Sequence, residues 1–76
     1  MSWNYRLVKD SDGLYMSEVY YHDDGTPRSY RWDVTPSYDP ETDTEGPVEA
    51  IEWVLNKMLE ACKKPILYYP GDFRID

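Results

Sequence analysis

The sequence predicts an α+β domain: a three-stranded antiparallel β-meander with one C-terminal α-helix packed on one face, and a short fourth strand in the tail. Three observations predict it. Apolar residues alternate with period two through the first half of the chain, two turns rich in Asp and Gly interrupt that alternation, and a 3.6-residue period replaces it after Pro47. At 76 residues the chain makes a single domain, 1–76. Chains of this size bury only about 60% of the surface their unfolded form exposes and cannot support two cores. Eight Tyr and three Trp supply large apolar area with polar tips, which is how so hydrophilic a chain builds a thin core.

Strand one, about 3–9, alternates Trp3, Tyr5 and Leu7 against Asn4 and Arg6. Asp10-Ser11-Asp12-Gly13 is a turn in which Gly takes positive φ and Asp side chains accept backbone amides. Strand two, about 14–22, sets Tyr15, Val19 and Tyr21 against Met16, Glu18, Tyr20 and His22. Asp23-Asp24-Gly25-Thr26 carries the Asp-Gly pair of tight hairpins, and Pro27 suits a strand start or a sheet edge. Strand three, about 28–34, sets Tyr30, Trp32 and Val34 against Ser29, Arg31 and Asp33. The polar face is expected to hold Tyr20 and Met16 beside Arg6, Arg31 and Glu18, where cross-strand ion pairs form.

Pro36, Pro40, Gly46 and Pro47 bracket an acidic loop over 35–46 that has no hydrophobic period. Pro47 fits the first helical position, with Gly46 or Thr44 as the cap. Over about 47–63, Val48, Ile51, Leu55, Met58, Leu59 and Cys62 gather on one helical face, predicted to lie across the aromatic face of the sheet. Glu45, Glu49 and Glu52 at its start and Lys57, Lys63 and Lys64 toward its end match the helix macrodipole, so helix stability accounts for part of this charge pattern. Pro65 ends the helix, and the tail, 65–76, offers Ile66 to Tyr69 as the fourth strand.

The strongest clue to function is a run of seven carboxylates between Arg31 and Lys57, namely Asp33, Asp39, Glu41, Asp43, Glu45, Glu49 and Glu52, with no basic side chain among them. Asp39, Glu41, Asp43 and Glu45 fall on alternate residues, so an extended backbone projects them to one side roughly 6.6 to 6.8 Å apart. A nucleic-acid strand spaces its charges on the same order, about 3.4 Å of helix rise per phosphate. The chain carries 8 Lys and Arg against 15 Asp and Glu, a net charge of -7. That balance disfavours direct binding to DNA, RNA or an anionic membrane and favours a basic partner.

Catalytic motifs are missing from the sequence. His22 is the only histidine, and Cys62, the only cysteine, falls on the predicted buried face of the helix, so a Cys-His pair would require that face to open. No serine sits in a nucleophile-elbow context, and there is no glycine-rich phosphate loop. Asp10-Ser11-Asp12-Gly13 has the start of a calcium loop without its later ligands. The expectation is a binding module, not an enzyme, with no cofactor. A lone cysteine excludes an internal disulfide and fits a reducing, cytoplasmic setting. Met1 is followed by neither a basic nor an apolar leader region, so the chain is expected to be unprocessed.

Trp53 points about 170° away from the centre of the apolar helical stripe, at 100° per residue. It is either an interface anchor or covered by Tyr68, Tyr69 or Phe73 folding back from the tail. The candidate partner-binding set is therefore Asp33, Asp39, Glu41, Asp43, Glu45, Glu49, Glu52 and Trp53. The chain is expected to be a monomer or a homodimer, and the alternative is a structural or homo-oligomeric small protein in which Trp53 and the Tyr-rich tail pair two copies and acidity serves solubility only.

Trp3-Asn4-Tyr5-Arg6, Glu18-Val19-Tyr20-Tyr21-His22-Asp23-Asp24-Gly25, the acidic helix and Lys64-Pro65-Ile66-Leu67 together resemble a family of small uncharacterised acidic bacterial and phage-associated proteins. The resemblance implies the meander-plus-helix architecture and supplies no catalytic residue. The acidic loop from Ser37 to Gly46 and the Tyr-rich tail depart from the family pattern. In character, not in motif, the chain also resembles phage anti-CRISPR proteins and other DNA mimics. That likeness implies a partner with a basic nucleic-acid-binding surface, such as a CRISPR effector subunit, blocked at its PAM-reading or duplex-binding groove.

Overall fold

A computed structural model describes residues 2–75; Asp76, the end of the expected tail, lies outside the described residues. The elements are β1 (Trp3–Asp10), β2 (Gly13–Tyr21), β3 (Pro27–Arg31), α1 (Pro47–Ala61) and β4 (Leu67–Tyr68). They form one α+β domain whose four-stranded sheet has the order β3-β2-β1-β4. β1–β2 and β2–β3 are antiparallel, as a meander requires, and β4 joins the free edge of β1 in parallel. β3 and β4 therefore run the same way, and the acidic loop and α1 form the crossover between them.

Local chemistry sets both hairpins. In the first, the Asp10 carboxylate accepts the Asp12 and Gly13 amides at 2.8 and 3.2 Å. In the second, Gly25 adopts φ +89°, and Asp24 accepts the Thr26 amide and hydroxyl. β3 stops at Arg31, short of the expected Val34. Trp32 leaves the ladder there and its ring packs 5.6 Å from Tyr15.

The register corrects the expected composition of the faces. Asp10 pairs with Gly13, so Tyr5 sits opposite Glu18 and Leu7 opposite Met16, while Arg6 sits opposite Ser17. Directly paired residues share a face. Arg6 thus lies on the face of Val8, Val19 and Tyr30, away from Glu18 and Arg31, and its guanidinium donates to the Pro65 carbonyl at 2.6 Å. Trp3, Tyr5 and Leu7 share the other face with Met16, Glu18 and Tyr20.

The tail, not the helix, seals the core. Val8 and Val19 are fully buried against Phe73, with Tyr21, Tyr30, Leu67 and Tyr69 around them. Tyr30, Tyr69 and Phe73 form a ring triad with centroid separations of 4.9, 5.5 and 5.2 Å. After a turn containing the cis Tyr69–Pro70 bond, the strap is tied at both ends. Tyr69 donates its amide to Lys9 O at 2.8 Å, and Arg74 donates its amide to Pro27 O at 2.8 Å. Arg74 also forms a 2.7 Å ion pair with Asp24, and His22 Nε2 donates to Arg74 O at 2.7 Å.

α1 starts at Gly46 as N-cap with Pro47 in the first turn. It ends at Ala61, two residues before the expected limit, where bonds from Lys63 to Glu60 O and from Lys64 to Ala61 O tighten the chain ahead of Pro65. It packs against β1 on its alanine side: Ala50 and Ala61 are buried, and Ile51, Val54 and Met58 beside them are half-buried. That face is rotated about 100° from the predicted stripe. Val48, Leu55, Leu59 and Cys62 are exposed, which overturns both the predicted covering of the aromatic face and the expected burial of the thiol. Alanine permits close approach of helix to strand, and Phe73 already fills the aromatic face.

Candidate functional site: Trp53 and its acidic surround

The candidate residues divide into three groups. Asp33 stands apart beside β3, paired with Arg31 Nε at 3.3 Å; Arg31 also reaches Glu18 at 3.4 Å. Asp39, Glu41 and Asp43 lie on the loop, but the loop there is a turn. Asp43 N donates to Asp39 O at 2.9 Å, Asp39 N donates to the Asp43 carboxylate at 2.8 Å, and Glu41 N donates to the Asp39 carboxylate at 2.9 Å. The regular spacing expected of an extended backbone is therefore absent. Asp and Asn side chains that bond their own backbone close turns, and the proline at position 40 favours one here. The signal for this turn, Asp39-Pro40, was visible in the sequence.

The third group does come together. Glu45, Glu49 and Glu52 line one shallow depression with Trp53 and Asn56, and every charged side chain in its wall is a carboxylate. All are exposed, and Trp53 retains 49% of its surface. The helix places them there: Glu45 precedes the cap, Glu49 lies in the first turn, and Glu52 and Trp53 follow about one turn on. Carboxylates are favoured at a helix N-terminus by its partial positive charge, so the patch forms without a cationic partner from its own chain.

Trp53 is a divide between two surfaces. On its other side, Trp3, Asn4, Tyr5, Lys57, Glu60 and Lys64 complete a cleft of about 260 Å³. The tail does not cover Trp53, since Tyr69 and Phe73 are held on the Val8 and Val19 face. Lys57 lies 5.6 Å from the Trp53 ring centroid and 3.7 Å from Glu60, and Trp3 meets Tyr5 edge-on at 5.2 Å. Sequence reasoning missed Trp3, Asn4 and Tyr5 at this place, because no periodicity within a strand tells which helix will lie beside it.

Shifted ionisations cluster at the two hairpins and around Glu18. The Tyr30 hydroxyl, and then the Asp12 and Gly13 amides, hold Asp10 below the ordinary carboxylate range. The same bond to Asp10 pushes Tyr30 up to about 12. The Thr26 hydroxyl and amide and the Arg74 guanidinium hold Asp24 well below the ordinary range. Tyr5 is raised by burial and the Glu18 charge, and Tyr20 by its bond to Glu18. Asp10, Asp24 and Tyr30 hold the hairpins and strap together, and Tyr5 and Tyr20 lie with Glu18 on the other sheet face, so the shifts have a structural cause.

Among the described residues no group of His, Cys, Asp and Glu side chains is placed to hold a metal ion, and no helix is long and apolar enough to cross a membrane. No family model, curated protein or solved structure matches the chain.

Proposed function

We propose that this is a non-enzymatic binding protein that docks the acidic first half of α1 on a basic surface of another protein. The observation that carries this reading is the exposed Trp53 set among Glu45, Glu49 and Glu52 with no cation in the same depression. Desolvated Trp side chains dominate binding energies, while charged rims govern encounter rate and partner choice. The loop carboxylates Asp39, Glu41 and Asp43 extend the negative field beyond the helix, and Asp33 is peripheral to it.

The class of partner is a protein whose Lys- and Arg-lined groove ordinarily holds nucleic acid. A bacterial CRISPR effector is one member of that class, and inhibition by occupying its DNA groove is the corresponding mechanism. Because the turn at 39–43 breaks the regular charge spacing, this mimicry rests on net field and not on a phosphate-like repeat.

The test is capture from a nuclease-treated bacterial lysate, with bound proteins challenged by excess duplex DNA and by rising salt. Release by both is expected, since exposed charges are screened beyond about 8 Å at physiological ionic strength. Retention in DNA, or capture that survives replacement of Glu45, Glu49 and Glu52 by Gln together with Trp53→Ala, would reject the reading.

A further inference from the structure

We propose that the exposed apolar ridge of α1 is the interface of an antiparallel homodimer, in which Val48, Leu55, Leu59 and Cys62 of one copy pack on the same ridge of a second. Val48, Leu55 and Leu59 are 65%, 50% and 60% exposed, on a helix already anchored to β1 by its alanine side. Val48, Leu55 and Cys62 recur at seven-residue intervals, the spacing that keeps one seam facing a partner helix.

Charge selects a second copy as the occupant and fixes its direction. The N-terminal half of the helix region carries Glu45, Glu49 and Glu52, and its C-terminal end carries Lys57, Lys63 and Lys64, with Glu60 held by Lys57. Lys57 and Lys64 face the cleft beside Trp53, so the charges that border the ridge are Glu52 and Lys63. An antiparallel pair sets Glu52 of each copy on the side of Lys63 of the other, and a parallel pair sets like charges together. The contact is isologous, so one patch serves both sides and the assembly closes at two.

With the two-fold axis at Leu55, the two Leu55 side chains meet, Val48 faces Cys62 of the second copy, and Ile51 faces its Leu59. Glu52 and Lys63 flank the ridge on the solvent side, about 20° apart around the helix. Helical side chains lean toward their own N-terminus, which in an antiparallel pair brings Glu52 of each copy toward Lys63 of the other. Glu49 and Trp53 lie further round the helix on the same side, beyond Glu52, and remain exposed in the pair. Glu52 is the one residue the two surfaces share, and the dimer does not depend on the docking reading above. A helix about 22 Å long offers less than the roughly 1,200–2,000 Å² of a tight interface, so dissociation is expected on the order of 10–100 μM.

Sedimentation equilibrium of the purified chain across that range tests the proposal in the absence of any other protein. A monomer–dimer equilibrium is expected, weakened at least roughly tenfold by Leu55→Glu with an unchanged circular dichroism spectrum. Lys63→Glu should weaken it too, and adding Glu52→Lys should restore it. Val48→Cys should give a disulfide-linked dimer with Cys62 of the second copy under a mild oxidant. The native chain should not, because its two Cys62 thiols lie about 20 Å apart across the pair. A chain that stays monomeric throughout, a dimer indifferent to Leu55→Glu, or a Val48→Cys variant that cross-links no more than the native chain overturns the proposal. Those outcomes would leave the ridge to a different protein or to solvent.

Discussion

The strap and the helix cover the sheet by opposite means. Residues 67–74 bring one deeply buried ring, Phe73, onto Val8 and Val19 and are tied by backbone bonds to β1 at one end and to Pro27 at the other. α1 contributes two buried alanines with half-buried Ile51, Val54 and Met58, and keeps Val48, Leu55 and Leu59 in solvent. In a domain this small, the segment that stabilises the fold and the segment that presents a surface need not be the same, and the longest regular element is here the presenting one.

The largest expected contrast is at Phe73. Phe73→Ala removes a core ring and should cost about 3–5 kcal/mol, a large share of the roughly 5–15 kcal/mol that stabilises a typical domain. Urea denaturation followed by tryptophan fluorescence measures it. A loss below about 1 kcal/mol would show that the strap is not the seal.

Next comes the hairpin to which the strap is tied. Gly25 has φ +89° and open space where a Cβ would stand, so Gly25→Ala strains only the backbone. The cost should be about 1–2 kcal/mol, with Tm falling about 4–8 °C for each kcal/mol. An unchanged melting curve would mean that the turn relaxes into another conformation.

Ionisation sharpens the comparison on the strap side, where Tyr30 touches both Phe73 and Asp10. Asp10 and Asp24 have folded pKa values below the unfolded value of about 3.9. Their stabilisation is therefore present above about pH 4 and lost as pH falls through the lower folded values. Tyr30 titrates at about 12 when folded, against about 10 unfolded, so its contribution is present below pH 10 and lost between the two values. Tyr30→Phe should remove this alkaline loss and move the acid unfolding midpoint upward, because Asp10 loses its main donor. Acid and alkaline titrations monitored by circular dichroism would show it, and an unmoved acid midpoint would rule out the coupling.

The smallest effect on stability belongs to the ridge. Leu55→Glu should stay within about 0.5 kcal/mol of the parent in denaturant while weakening self-association at least roughly tenfold. A large destabilisation would mean that Leu55 is packed within its own chain and that the contrast between strap and helix is false.

The elements were legible in the sequence because their causes are local. Asp10 to Gly13 and Asp23 to Thr26 bend the chain, Pro47 starts the helix and Pro65 prevents its continuation. The pairing parity was misread in placing Arg6 beside Glu18, although the turn carries it. A tight turn between Asp10 and Gly13 sets Tyr5 opposite Glu18, which places Arg6 on the other face. In the candidate site, the gathering of Glu45, Glu49, Glu52 and Trp53 followed from helical spacing. The turn at Asp39–Asp43 did not follow from alternation, because a side chain that caps its own backbone overrides a period of two.

By itself the sequence determined the α+β class, three antiparallel strands, one helix and a strongly negative field, since each depends on neighbours a few residues apart. Only the tertiary structure decided that Phe73 rather than Leu55 fills the core, that the alanine side of α1 meets β1, and that Trp53 stands beside Trp3. Two apolar surfaces competed to cover the same thin sheet. The tail prevailed where it brings a large ring together with backbone bonds to both ends of the sheet, and the helix lies on the side that carries Ala50 and Ala61.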